Sequence, residues 1–229
     1  MRVLKPIRDW RLYVVTDANL SRGRSHVQVA RCALAGGADV IQLRDKTASR
    51  RIFTDIAWDL RRLTRTAGAV FIVNDWLDIA LSVDADGVHL GQEDFDAGMA
   101  RYRLKGGKIL GISVGSVEEA RQAEEDGADY VSVGPVFEAR SSKPDAGEPR
   151  GLELVRKCAQ ICQIPVLAIG GINSSNAASV IEAGACSVAV ITAVTQAQDM
   201  TAAARELTEI TENAKAQARL QGGERDEAD

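Results

Sequence analysis

Short, nearly unbroken apolar runs alternate along this chain with longer stretches whose apolar positions recur at helical spacing. The runs are Leu12 to Thr16, Val40 to Leu43, Val70 to Val73, Gly87 to Leu90, Ile109 to Ser113, Tyr130 to Val133, Val166 to Ile169 and Ser187 to Ile191. They do not alternate apolar with polar, so they suit parallel strands covered on both faces. The stretches between them carry helix-end signals. Ser116 with Glu119 has the spacing of a capping box. Gly36-Gly37-Ala38-Asp39, Gly127-Ala128-Asp129 and Gly184-Ala185 each close a helical pattern where a left-handed residue is needed. The phrase glycine, alanine, often aspartate, then an apolar run is a weak internal repeat at the helix-to-strand joint.

Eight such units in 229 residues predict an α/β fold with a single (β/α)8 barrel of the TIM-barrel class. The competing architecture is an open doubly wound sheet. It is disfavoured because no Gly-x-Gly-x-x-Gly opens the first helix. The barrel is expected to occupy residues 1–215. The apolar pattern fades beyond about Ile210, so 216–229 reads as a disordered polar tail.

Composition narrows the function classes. Apolar residues make up 45% of the chain, enough for a sizeable core, and the net charge of −4 gives no basic face for a nucleic-acid backbone. No apolar run approaches the ~18 residues of a membrane span, and the first ten residues lack the apolar segment of a signal peptide. A cytoplasmic location is expected. Cys32, Cys158, Cys162 and Cys186 form no Cys-x-x-Cys pair and read as small buried hydrophobes of a reducing compartment. The oligomeric state is left open, a homodimer included.

In a (β/α)8 barrel the chemistry sits where strands end. Strand two ends in Gln42-Leu43-Arg44-Asp45-Lys46, and period two puts Gln42, Arg44 and Lys46 on one face. Two cations side by side call for an anion, either a ligand or a rim carboxylate. Strand three ends in Asn74-Asp75 and strand four in His89-Leu90-Gly91-Gln92-Glu93-Asp94. Asp75 and Asp94 on adjacent strand ends suit Mg2+, which takes one or two carboxylates plus phosphate and water. Each could instead cap the helix that follows. Ser113 after strand five either donates to a phosphate or caps a helix. Strand six leads through Gly134-Pro135-Val136-Phe137 into a polar loop with Arg140, Ser141, Ser142 and Lys143. Gly170-Gly171 after strand seven and Ile191-Thr192 after strand eight mark a backbone-lined phosphate site. The mouth therefore holds two anion sites, one suited to a diphosphate and one to a monophosphate. His89 faces opposite to Leu90 and reads as a core or rim histidine rather than a base.

These strand-end segments, with Val73-Asn74-Asp75, Gly111-Ile112-Ser113 and Ala168-Ile169-Gly170-Gly171-Ile172, resemble thiamine-phosphate synthase from about Leu12 to Leu207. The resemblance implies an alkyl/aryl-transferring enzyme with one Mg2+ on Asp75 and Asp94. It implies that Gln42, Leu43, Arg44, Asp45, Lys46, Asn74, Ser113 and Lys143 hold an aminopyrimidine diphosphate. It implies that Arg140, Ser141, Ser142, Gly171, Ile191 and Thr192 hold a thiazole phosphate. Arg44, Lys46, Ser113 and Lys143 would carry catalysis, with diphosphate leaving to give a carbocation that the thiazole nitrogen captures. The family loop Pro-Thr-x-Thr-Lys is replaced here by the longer Glu138-Ala139-Arg140-Ser141-Ser142-Lys143. The competing functions are a thiazole tautomerase of the same superfamily and a phosphate-binding barrel without catalysis.

Overall fold

A computed structural model describes residues 3–104, 107–139 and 147–226, with side chains described as far as Leu220. The strands are β1 (Leu12–Thr16), β2 (Val40–Leu43), β3 (Val70–Asn74), β4 (Gly87–Leu90), β5 (Ile109–Val114), β6 (Tyr130–Val133), β7 (Val166–Ile169) and β8 (Ser187–Val190). All neighbours pair in parallel, and β8 returns to β1 to close the barrel. The helices are α1 (His26–Ala35), α2 (Arg50–Ala67), α3 (Leu77–Ser82), α4 (Ala97–Leu104), α5 (Val117–Glu125), α6 (Gly151–Ile161), α7 (Ala177–Glu182), α8 (Thr192–Thr195) and α9 (Met200–Asp226). The strand runs read from the sequence agree with the observed strands to within one residue at their ends.

Alternation along each strand divides the apolar residues into two cores. Leu12, Val14, Ile41, Leu43, Phe71, Val73, Val88 and Leu90 point outward and pack under the helices. Tyr13, Val15, Val40, Val70, Ile72, Tyr130, Leu167 and Ala189 point inward, above Trp10, which plugs the floor. Both faces of the sheet are buried, which is why the runs look continuous in sequence. The four cysteines are free thiols, with Cys158 and Cys162 buried.

The joint repeat has a physical reason. Asp39, Asp86 and Asp129 each stand just before a strand, and each carboxylate accepts a backbone N–H at the start of the preceding strand: Arg11 at 2.7 Å, Phe71 at 2.8 Å and Leu110 at 2.7 Å. An arginine backs each one, Arg11, Arg61 and Arg101 in turn. The glycines Gly37, Gly127 and Gly184 sit at φ +94, +87 and +104, as a left-handed helix stop requires. Ser116 caps α5 as expected, accepting from the Glu119 N–H, while the Glu119 carboxylate turns back to the N–H of Gly115.

The C-terminal segment differs from expectation. Helix α9 runs on to Asp226, so most of the stretch taken as a disordered tail from 216 is helical. Alanine, glutamine, arginine and leucine there are strong helix formers even without an apolar stripe. The helix is also anchored: the Lys215 ammonium donates to the carbonyls of Arg8, Trp10 and Cys186 at 2.7, 2.9 and 2.8 Å, under the barrel floor.

Gly111 is the most tightly hemmed of the described glycines. A Cβ there would lie 2.0 Å from Cζ of the Tyr130 ring, which crosses the barrel. Gly111→Ala is expected to cost about 3 kcal/mol or more in urea unfolding, at the upper end of overpacking effects. Gly68→Ala, at φ +74 with open space around it, is expected to cost about 1 kcal/mol. Equal losses for the two would contradict this packing.

Candidate active site

The C-terminal strand ends open into a cavity of about 180 Å3 lined by Gln42, Arg44, Asn74, His89, Ser113, Gly171, Ile191 and Thr192 among others. Seven residues expected at the mouth from the sequence, all of these but His89, thus meet around one space. Leu43 and Asp45 do not join them. Leu43 is wholly buried in the outer core. The Asp45 carboxylate folds back on its own loop, accepting from the N–H groups of Thr47 and Ala48 at 2.8 and 2.9 Å and contacting His26. Their place in a contiguous motif therefore reflects strand alternation and loop shape, not side chains turned to a ligand. Arg140, Ser141, Ser142 and Lys143 lie outside the described residues.

Arg44 lines the cavity and also pairs with Asp17, a buried carboxylate just past the end of β1. A guanidinium has five N–H donors, so the Asp17 contact holds the group in place without exhausting it. Asp17 escaped the sequence reading, although a polar pair, Thr16-Asp17, ending an apolar run was the available signal. Lys46 leaves the strand face and donates to Asp75 at 2.5 Å.

The two carboxylates expected to hold a metal are side by side. Asp75 and Asp94 are within hydrogen-bonding reach of each other. Neither is a helix cap by its side chain. The residue at the N-cap of α3 is Trp76, and the α4 entry is capped by Asp96, which accepts from the Met99 N–H at 2.8 Å. Asp94 instead accepts from the Gly91 N–H at 2.7 Å. The Asp75 backbone is left-handed at φ +63, and its N–H still bonds the His89 carbonyl at 2.9 Å. A non-glycine residue there carries strain, which native structures concentrate at functional positions.

Electrostatics follow from the crowding. Burial, then the adjoining Asp94, push the Asp75 carboxyl above its ordinary range against the opposing pull of Lys46. For Asp94 burial pulls upward, but hydrogen bonds from Asp75 and Gly91 and the charge of Lys46 outweigh it and hold it low. The two shifts run in opposite directions, as adjoining carboxyls that compete for the same space require.

The phosphate-type loops are also distinctive. Gly170 and Gly171 have φ +101 and +66, and a Cβ on Gly171 would stand 2.7 Å from the Glu138 carbonyl oxygen and from Cβ of Phe137. Glycine is needed there first for packing against the loop after β6, a different reason from the empty phosphate space expected from sequence. The Gly171 carbonyl is held by the Asn176 amide at 3.0 Å. Ile191 follows β8 and stands at the N-cap of the four-residue α8, whose first residue is Thr192. The remaining surprise is inside the barrel. His89 contacts Tyr130 Oη through Nδ1 at 3.0 Å and Ser113 Oγ through Nε2 at 2.9 Å. Ser113 is thus bonded to a histidine rather than capping α5. Tyr13 and Tyr130 read in sequence as ordinary strand residues.

A closed parallel barrel whose mouth gathers cations, a carboxylate pair and glycine loops defines the class: a (β/α)8 barrel with a charged, glycine-lined mouth. Comparison with known proteins makes this specific. The family model described as thiamine monophosphate synthase matches residues 12–194, and the chain belongs to that family. It is similar to the thiamine-phosphate synthase of Chloroflexus aurantiacus, 57% identical over 201 residues, covering 88% of this chain and 92% of that one. That of Moorella thermoacetica is 54% identical over 207 residues, covering 90% and 98%. Among solved structures, the thiamine phosphate pyrophosphorylase from Pyrococcus furiosus superposes with a TM-score of 0.84 at 44% identity, covering 91% of this chain and 98% of that one. A 3-hexulose-6-phosphate synthase at 18% identity and TM-score 0.65 shares the fold. No described helix is long and apolar enough to cross a membrane.

The raised Asp75 carboxyl sets a pH-dependent stability. A carboxyl whose folded pKa is raised above the unfolded value of about 3.9 favours folding less and less as pH rises through that window. Asp75→Asn is therefore expected to raise the urea midpoint of metal-free protein at pH 7, with the gain vanishing below about pH 4. A lower midpoint at pH 7 would show that the Lys46 contact, not the clash with Asp94, dominates.

Proposed function

We propose that this barrel is a thiamine-phosphate synthase, joining an aminopyrimidine methyl diphosphate to a thiazole phosphate with release of diphosphate. The observation that carries the reading is the contact of Asp75 with Asp94 beside Lys46, next in the chain to Asn74, which lines the cavity with Arg44. Adjacent carboxylates repel unless a cation accompanies them. Their oxygen chemistry fits Mg2+, which needs few protein ligands when substrate phosphate and water supply the rest. Among the described residues no larger cluster of acidic, histidine or cysteine side chains offers another metal cage. Asp75 and Asp94 would hold the ion, which when bound supplies positive charge against the departing diphosphate.

The chain's own groups would do the remainder. Arg44, fixed by Asp17, would grip the diphosphate, and Lys46 would move from Asp75 to it. Lys143 would add a further cation from the loop after β6. Gln42 and Asn74, buried at the cavity wall, would orient the aminopyrimidine ring. Ser113 would donate to a diphosphate oxygen. Gly171, Ile191 and Thr192 would cradle the thiazole phosphate with backbone N–H groups, aided by Arg140, Ser141 and Ser142. The bond from the methylene carbon to the diphosphate oxygen breaks with its electron pair on oxygen. The thiazole nitrogen lone pair then forms the new bond to carbon. No described base is placed to take a proton, and the reaction needs none removed. Catalysis would rest on charge stabilisation and on alignment of two rings. A thiazole tautomerase would have no use for the carboxylate pair and its lysine.

Incubation of the protein with both substrates and Mg2+ is expected to yield thiamine phosphate and diphosphate in equal amounts, with activity lost on chelation. Binding of either substrate without joined product would leave only a ligand-binding barrel. Arg44→Ala is expected to raise the KM for the pyrimidine diphosphate by about 10- to 100-fold, the worth of a charge-assisted hydrogen bond, with little change for the thiazole phosphate. Equal losses for both would mean the two pockets are exchanged.

A further inference from the structure

Beneath the mouth, five side chains are linked across the barrel interior. The Gln42 amide nitrogen donates to Tyr13 Oη at 2.7 Å; Tyr13 Oη and Tyr130 Oη are 3.0 Å apart; Tyr130 Oη lies 3.0 Å from His89 Nδ1; and His89 Nε2 lies 2.9 Å from Ser113 Oγ. The rings are fixed: Trp10 packs edge-on to Tyr130, and His89 stacks on Tyr130 at 5.7 Å between centroids. Gly111 leaves the room that the Tyr130 ring occupies. Burial pushes both phenols above their usual value, so each keeps one proton to give.

Donor arithmetic then sets a direction. An amide nitrogen only donates, so Tyr13 oxygen accepts from Gln42 and gives its own proton to Tyr130. Tyr130 in turn gives its proton to His89 Nδ1. With Nδ1 accepting, the neutral imidazole carries its proton on Nε2 and donates to Ser113. Ser113 oxygen is thereby supplied, and its hydroxyl proton is left for the cavity that Ser113 lines. Gln92 pins the spot by donating to the Ser113 carbonyl at 2.6 Å. The opposite direction, with the Gln42 amide turned over, would consume the Ser113 proton on His89 and present only lone pairs to an anion.

We propose that His89 is a positioning residue: the buried chain Gln42–Tyr13–Tyr130 holds its proton on Nε2, which turns the Ser113 hydroxyl outward as a donor to the substrate diphosphate. This rests on the reading of the mouth as a diphosphate site. It assigns work to Tyr13, Tyr130 and His89, none of which need touch the reacting atoms.

The chain has two histidines, so 15N-histidine NMR of the whole protein reads the tautomer directly, the His89 signals being those lost in His89→Gln. With inorganic diphosphate and Mg2+ present, His89 is expected to carry its proton on Nε2 with Nδ1 bare; a proton on Nδ1 overturns the proposal. Tyr130→Phe keeps the ring but removes the donor. It is expected to lower affinity for inorganic diphosphate, and kcat/KM for the pyrimidine diphosphate, about tenfold, the worth of one hydrogen bond to a charged group. The KM for the thiazole phosphate should not move. In a Ser113→Ala background the same change should cost less than about twofold, because the hydroxyl it positions is gone. Equal losses in both backgrounds mean a packing effect and overturn the proposal. Tyr13→Phe gives the same comparison should Tyr130→Phe not fold. If the tautomer and diphosphate affinities behave as stated but no thiamine phosphate forms, the reaction reading fails and the positioning chain stands.

Discussion

The mouth of this barrel is organised by one unfavourable contact, the meeting of Asp75 and Asp94. They follow β3 and β4, and the parallel pairing of these neighbouring strands brings the two together. The cost is visible in the left-handed backbone of Asp75 and in the upward push on its carboxyl from burial and from its neighbour. Lys46 lowers that cost but is itself half exposed, so its contribution is modest. An arrangement that a stable fold has no reason to build is explained by a cation and a polyanion that belong there.

A second constraint comes from inside the barrel. Interiors of this class are commonly filled by branched apolar residues. Here the lower layers follow that rule around Trp10, Val40 and Val70, and the upper layers do not. Gln42, Tyr13, Tyr130, His89 and Ser113 replace them with a linked set of hydrogen bonds. Such a network is stable only when each member is satisfied. The same requirement that keeps it folded also gives it a direction, so folding and function draw on one set of bonds.

The architecture was legible in the sequence because burial on both faces makes each strand a continuous apolar run and because Asp39, Asp86 and Asp129 repeat one hydrogen-bonding solution at successive joints. Arg44, Asp75 and Asp94 were legible because polar residues interrupt those runs at their C-terminal ends. Leu43 and Asp45 came with the motif by resemblance, while the alternation already legible in the sequence set Gln42 and Arg44 apart from them, and their side chains turn to the outer core and to their own loop. Tyr13, Tyr130 and His89 were passed over for the converse reason: an aromatic in a strand looks like core until closure shows which face looks into the barrel. Asp17 ends an apolar run as Arg44 does, but the two lie 27 residues apart in sequence, so their pairing shows only once β1 and β2 stand side by side. The helical end of the chain was missed because its helix formers lack the apolar period that periodicity detects.

The most direct test of the central claim is anomalous diffraction from crystals grown with Mn2+ and inorganic diphosphate. The account predicts a single strong peak touching both the Asp75 and Asp94 carboxylates and a diphosphate oxygen, with Lys46 withdrawn from Asp75 to the anion. A metal bound elsewhere, with the Lys46–Asp75 contact intact, would contradict it.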